Sequence, residues 1–168
     1  MSLSSSIIHS PLGDLFAISN ETSLLFLDFA DSREQIAKIQ KIEAKYEQKI
    51  LSQKNQILTQ TEKELGEYFA RKRKIFSIPI EFHGTEFQVK SWKWLKSIPY
   101  SETRSYIEQA IEIWSPKAVR AIGWANHNNP IVIIIPCHRV IGKSGKLIGY
   151  SGWLERKTWL LEHEKKYK

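Results

Sequence analysis

The segment Ile131-Val132-Ile133-Ile134-Ile135-Pro136-Cys137-His138-Arg139-Val140 places the only cysteine of a 168-residue chain behind five consecutive β-branched residues and a proline. Such a run is too short to span a membrane, and its β-branched side chains predict a fully buried strand or extended core segment. Pro136 fixes its own φ and donates no hydrogen bond, so regular structure is expected to stop there. Cys137 then sits where rigid, buried backbone breaks into a turn, a placement that holds a reactive group still. A free cysteine is most often a small buried hydrophobe. Here His138 and Arg139 follow at once, and imidazole or cationic neighbours are what turn a thiol into a nucleophile.

The surrounding composition is that of a globular protein, 42% hydrophobic and 26% charged. No basic, then apolar, leader opens the chain, and one cysteine can form no internal disulfide, so a soluble cytoplasmic protein without membrane contact is expected. Net charge is +7 and lies on one side. Residues 1–83 carry 11 Lys/Arg against 11 Asp/Glu, whereas residues 84–168 carry 14 against 7. All of the excess therefore shares a half with Cys137, which suits a polyanion, nucleic acid first.

Before that half, short apolar pieces from Ser6 to Phe29 alternate with turn chemistry and predict a three-stranded antiparallel meander. A helix capped by Asp31 or Ser32 is expected to run to about Leu51 with Ile36, Ile39, Ile42 and Tyr46 on one face. A second should span Thr59 to Arg71, burying Leu65, Tyr68 and Phe69, with a short strand over Ile75–Ile80 after it. The character changes near His83-Gly84, giving expected domains of 1–82 and 83–168. Thr85 and Gln88 have the form of a capping box, followed by a stripe of Phe87, Trp94, Leu95 and Ile98. A helix from Glu102 or Thr103 to Trp114 should turn Tyr106, Ile107, Ala110 and Ile111 inward. Ser115-Pro116 reads as N-cap and first helical residue of the next, Lys117 to about Ala125. Two short helices joined by a tight turn, the second small-faced and basic, outline a helix-turn-helix. A glycine-rich loop, Gly142 to Gly152, and a helix from Leu154 to Lys166 with Trp159, Leu160 and His163 inward complete the chain.

Pro136-Cys137-His138-Arg139-Val140, preceded by Asn129-Pro130 and followed by Gly145, Gly149-Tyr150 and Leu160-Leu161 with Glu164, resembles the O6-alkylguanine-DNA alkyltransferases. Gly84-Thr85, Phe87-Gln88, Ile98-Pro99, Thr103, Ser105-Tyr106 and Pro116 to Ala121 match in the same order, so the likeness covers roughly residues 84–164. It implies an α+β protein. The N-terminal domain would be a small α/β unit of ribonuclease H-like type with an antiparallel sheet, acting as scaffold. The C-terminal domain would be mostly helical and winged-helix-like, with a helix-turn-helix, and would bind DNA and transfer the alkyl group.

The resemblance further implies direct-reversal repair of double-stranded DNA: a flipped-out guanine gives its O6-alkyl group to Cys137 and the protein, a monomer, is spent. Thiolate chemistry and base flipping fit such a reaction. By match, Glu164 orients His138, which acts through a water on Cys137, and Asn129 holds the turn. Tyr106, Val140, Gly149, Tyr150 and Ser151 would contact the base. Arg120 would fill the gap in the stack, and Thr103, Ser105, Lys117, Ala118, Ala121, Trp124, Ala125 and Arg139 would meet the duplex through its minor groove. Tyr100 stands where a glycine commonly follows the isoleucine-proline pair, Trp114 where one often ends the helix, and Ile148 and Trp153 where small residues are frequent. No cofactor is implied, and with no cysteine before Cys137 no structural zinc is expected. Other classes remain: an alkylated-DNA-binding protein that signals without transfer, which should lack the thiol, and a cysteine hydrolase using His9, His83, His127 or His163.

Overall fold

A computed structural model describes residues 2–148 and 153–168. The chain divides into two compact units, Met1–Phe82 and His83–Lys168, of an α+β protein.

In the first unit, strands β1 (Leu3–Ile8), β2 (Leu15–Ser19) and β3 (Leu24–Phe29) form the expected antiparallel meander. Helix α1 (Gln35–Tyr46) is shorter than the sequence suggested at both ends. Glu34 is its N-cap without a side-chain bond, and Glu47 closes it in the left-handed region at φ 53°. Ile36 is 71% exposed, so the buried stripe is Ile39, Ile42 and Tyr46, packed against Leu3, Ile18, Leu25 and Phe26. The residues assigned to its last turn instead form β4 (Ile50–Ser52), parallel to β1, giving the sheet order β3-β2-β1-β4. Helix α2 (Gln56–Phe69) starts where the Asn55 side chain accepts from the Leu58 amide, and it buries Leu58, Leu65 and Tyr68. Ile75–Ile80 is not a strand: only Ile80 bridges, to Leu24, and Ile75 is exposed.

The second unit packs helices on one another. Helix α3 (Glu86–Leu95) opens on the complete Thr85/Gln88 capping box. Its buried face is Ser91, Trp92 and Leu95, while Phe87 and Trp94 are half-buried. A Cβ on Gly84 would stand 2.7 Å from the Trp92 ring, so only glycine fits there. Helix α4 (Tyr106–Glu112) has its own capping box, Ser105 with Glu108. It turns Tyr106, Gln109 and Ala110 inward rather than Ile107 and Ile111, which are exposed. Helix α5 (Val119–His127) begins later than Ser115-Pro116 promised, because the Ser115 carbonyl is used in a turn from the Ala118 amide, 2.9 Å. Ile122 and Ala125 are buried, not presented to a partner, and the Trp92 indole donates to the Ala125 carbonyl at 2.8 Å. Between α4 and α5 the buried amides of Gln109 and Asn126 exchange two hydrogen bonds, 2.7 and 3.0 Å. Two-residue strands β5 (Arg104–Ser105) and β6 (Val140–Ile141) pair in parallel, and α6 (Leu154–Lys166) follows. Among the described residues no helix is long and apolar enough to cross a membrane.

Candidate functional site

The β-branched run is buried as expected but is not a strand. Residues 131–135 fold into a turn, with Ile135 donating to the Ile131 carbonyl at 3.0 Å and Ile133 in the left-handed region at φ 71°. Asn129 holds this turn. Its Oδ1 accepts from the Ile131 amide at 3.0 Å, and its Nδ2 donates to the Ile135 carbonyl at 2.8 Å and to Cys137 Sγ at 3.0 Å. A side-chain amide is thus spent on building a buried loop and on aiming an N–H at sulfur.

Cys137–Arg139 is one 3-10 turn, not extended backbone, and all three residues are buried. His138 Nε2 lies 2.8 Å from Glu164 Oε1, whereas its buried Nδ1 meets no hydrogen-bond partner among the described residues. Burial pushes the His138 imidazole down, against the pull of Glu164, so the neutral ring is favoured. A neutral ring that donates from Nε2 to a carboxylate carries its lone pair on Nδ1.

Glu164 is anchored from four sides. Arg139 Nε and Nη2 donate to its two oxygens at 2.9 Å each, His138 takes one of them, and the Ser101 amide reaches Oε2 at 3.2 Å. Burial raises the carboxyl, but His138 and the Arg139 guanidinium more than reverse this and hold it well below the usual range. Arg139 is itself fully engaged, its Nη1 donating to the Ile98 carbonyl at 2.8 Å and its guanidinium lying 5.6 Å from the Tyr100 ring. A guanidinium 6% exposed has no face to offer a duplex, which corrects its assignment as a DNA contact.

The parallel pairing of Arg104 with Val140 and of Ser105 with Ile141 ties the start of α4 to the segment after Cys137. Tyr106 is thereby brought to the same region, 8% exposed, its hydroxyl donating to the Ile148 carbonyl at 2.9 Å. Burial, with the Cys137 sulfur nearby, pushes its hydroxyl up to about 12. Lys157 was not expected here. It is fully buried, its Nζ donates to the Val140 carbonyl at 2.5 Å and approaches the Ile148 carbonyl at 3.5 Å, and burial pushes it down to about 8. Its signal was present in the spacing, since Lys157, Leu160 and Glu164 form one stripe of α6.

Of the expected DNA contacts, Thr103, Lys117, Arg120, Ala121 and Trp124 are exposed, and Ser105 and Ala118 are half-buried. Ala125 is buried and faces the helix packing. Gly149, Tyr150 and Ser151 lie outside the described residues. The left-handed residue after Ile98-Pro99 is Ser101, φ 66°, not Tyr100, so the backbone demand for glycine falls one position later than the sequence suggested. Among the described residues no group of three or more His, Cys, Asp or Glu side chains is arranged to hold a metal.

A buried thiol beside a carboxylate-held imidazole, in a helical unit with an exposed basic helix, defines a cysteine-centred group-transfer site on a nucleic-acid-binding scaffold. Two family models match: the 6-O-methylguanine DNA methyltransferase DNA binding domain over residues 86–166, and the ribonuclease-like domain of the same proteins over residues 3–82. The chain belongs to this family. It is 42% identical to a methylated-DNA--protein-cysteine methyltransferase of Methanosarcina barkeri over 94% of each chain. Its structure is similar to that of the O6-methylguanine methyltransferase of Mycobacterium tuberculosis, with a TM-score of 0.84 and 38% identity over 99% of this chain and 94% of that one. A crystal structure of the M. tuberculosis protein in complex with DNA matches with a TM-score of 0.83, 38% identity and the same coverage.

Proposed function

We propose that this protein repairs DNA by direct reversal, moving the alkyl group of O6-alkylguanine irreversibly to Cys137, one transfer per chain. The observation that carries the reading is the pairing around the thiol: an Asn129 N–H on the sulfur, and on the next residue an imidazole fixed by Glu164 at one nitrogen and without a partner among the described residues at the other. A water between the Cys137 thiol and His138 Nδ1 passes the thiol proton to the ring, whose positive charge is then met by the ionised Glu164. The Asn129 amide stabilises the thiolate. Sulfur attacks the alkyl carbon, the carbon–O6 bond breaks, and the electron pair leaves with the guanine. Tyr106 gives its proton to the departing base, which exits neutral, and regains one through the site from His138. No turnover follows because the thioether formed is not a leaving group here.

For Tyr106 to act, its hydroxyl must exchange the Ile148 carbonyl for the base. Lys157 donates to the Val140 carbonyl and approaches the Ile148 carbonyl, and so ties the segment after Cys137 to the carbonyl that Tyr106 must release. The target base is unreachable inside a duplex and is extruded, with Arg120 filling the gap. Lys117, Ala118, Ala121 and Trp124 lie along the minor groove, and Thr103 and Ser105 meet the backbone nearby. Gly149, Tyr150, Ser151 and Val140 frame the base. The unit before Phe82 serves as scaffold, and the protein works as a cytoplasmic monomer on double-stranded DNA.

The test is intact-mass measurement after incubation with a duplex containing O6-methylguanine. The wild-type chain should gain one methyl group and stop, with the mass change mapping to Cys137, and Cys137→Ser should gain none. Many turnovers per chain, or labelling that persists without Cys137, would overturn the assignment.

A further inference from the structure

The exposed side of α5 is not uniformly small. Ile122, Ala125 and Asn126 turn inward, which leaves Arg120, Ala121, Trp124 and His127 outward along the helix. Trp124 is 65% exposed, an unusual place for an indole, and it is not loose: its ring stacks on that of His127 with centroids 5.5 Å apart and planes 23° from parallel. The Asn128 side chain donates to the Trp124 carbonyl at 2.9 Å and steadies the same turn.

We infer that Trp124, braced by His127, is a minor-groove contact that makes repair depend on the base pairs flanking the lesion. The inference rests on the reading of α5 as the DNA-facing helix. Charge favours that partner, since the half of the chain from residue 84 holds the whole net excess of +7 and Lys117 and Arg120 are exposed on this side. Trp124 lies four residues beyond Arg120, about 6 Å along the helix axis, which is roughly two base steps of about 3.4 Å. Ala118 and Ala121 allow the helix close to a groove only about 6 Å wide, so the indole one turn on must enter the groove rather than ride above it. There its only polar group is an N–H donor. The floor at an A·T pair shows acceptors alone, adenine N3 and thymine O2, while a G·C pair adds the guanine amine, a second donor and a steric bump. An indole at this position therefore favours A·T pairs two steps from the lesion.

The experiment compares single-turnover repair rate constants, at subsaturating protein, on two O6-methylguanine duplexes that differ only in having A·T or G·C pairs two steps to either side. The wild type should prefer the A·T duplex by about fivefold, the worth of one net hydrogen bond. Trp124→Ala should bring the ratio to about one, and Trp124→Phe, which keeps the ring but loses the donor, should lower it too. His127→Ala should weaken the preference by unbracing the indole. Because each ratio is taken within one protein, lost activity or partial unfolding cancels. A wild-type ratio of one, or a ratio unchanged in Trp124→Ala, overturns this inference. Methyl transfer to Cys137 from either duplex leaves the repair reading standing in both cases, so the two fail separately.

Discussion

Each unit of this protein buries a glutamate, and the two are used differently. Glu64 on α2 is 3% exposed and receives the Ser77 amide at 2.8 Å, the Ser77 hydroxyl and the Gln60 amide at 2.9 Å. With Arg73 3.6 Å away, it stitches the chain after α2 back onto the helix. Glu164 on α6 is 1% exposed and equally well supplied with donors, but two of them are the residues that directly follow Cys137. The same device that fixes a loop in one unit fixes an imidazole in the other, and the imidazole has a second nitrogen to spend. Burial and hydrogen bonding alone therefore do not tell the two glutamates apart. What does is that the His138 ring held by Glu164 keeps a buried nitrogen with no hydrogen-bond partner among the described residues.

The sharpest way to break that contrast is to substitute both. Glu164→Gln should slow methyl transfer by about 100-fold or more, because His138 then loses the carboxylate that fixes its ring and meets its charge, and with it most of the usual worth of a positioned general base. It should also cost about 3–5 kcal/mol, because Arg139 is left as a buried cation without its counter-charge. Glu64→Gln should cost about 1 kcal/mol, since Arg73 stands 3.6 Å away with 26% of its side chain in solvent, and should leave the transfer rate alone. Urea unfolding and single-turnover repair measured on both variants decide it. Equal effects on rate would erase the distinction.

Next in size is Asn129→Ala, which takes the Asn129 side-chain bond from the Ile131 amide and one donor each from the sulfur and from the Ile135 carbonyl, the latter keeping only the Cys137 amide. Leaving buried groups unpaired costs about 1–3 kcal/mol, and the rate should fall as well because the turn under Cys137 loosens. A stability loss with an unaltered rate at saturating DNA would show that Asn129 builds the turn but does not tune the thiol.

Acid should separate His138 from Asp28 by sign. His138 has its pKa lowered by burial below the ordinary 6.5, so the unfolded chain binds more protons there and stability falls as pH drops below about 6.5. Repair should fall in the same direction, as the Nδ1 lone pair is lost. Glu164, held well below the usual 4.5 in the folded chain, adds stability that is present above about 4.5 and lost as pH falls from there, the same direction as His138. In the first unit Asp28, 2% exposed, has its pKa raised above 3.8 by burial, against the nearby Lys38. Its contribution is present below 3.8 and lost as pH rises through the folded value, the opposite slope. Removing that one group with Asp28→Asn should flatten the rise in stability on acidification near pH 4 without moving the pH dependence of repair.

How much of this could be read from the residues depends on how long each signal runs. Cys137, His138, Asn129, Glu164 and Tyr106, singled out by motif, are brought to one place by the turn at Asn129, the β5–β6 pairing and α6. The direction of Arg139 was not legible, because a charged residue beside a thiol says nothing of whether it faces solvent or a buried carboxylate. The run Ile131–Ile135 misled for a different reason. Consecutive β-branched residues signal burial but not backbone shape, and here three bonds from one asparagine side chain impose a turn. Strands of two or three residues, β4, β5 and β6, are too short to show alternation at all. In α4 the apolar Ile107 and Ile111 outvoted the polar Gln109, whose amide is buried because Asn126 completes it.

The smallest effect, that of Trp114→Gly, comes from the five non-glycine residues in the left-handed region among the described residues, and these carry the comparison of the units to the backbone. In the first unit Glu47 and Arg71 only follow the ends of α1 and α2. In the second, Ile133 lies in the turn before Cys137, Ser101 gives its amide to Glu164, and Trp114 ends α4. Trp114 is 87% exposed at φ 65°, so Trp114→Gly relieves strain and forfeits little packing, and it should stabilise by about 1 kcal/mol. Ile133→Gly relieves the same strain at φ 71° but empties a site only 2% exposed, and a buried isoleucine cut to so small a residue costs about 2–5 kcal/mol. The two variants should therefore shift the urea midpoint in opposite directions from one backbone geometry. If Trp114→Gly lowered the midpoint, the exposed indole would be holding the turn between α4 and α5 by packing, and its strain would have a structural rather than a merely tolerated origin.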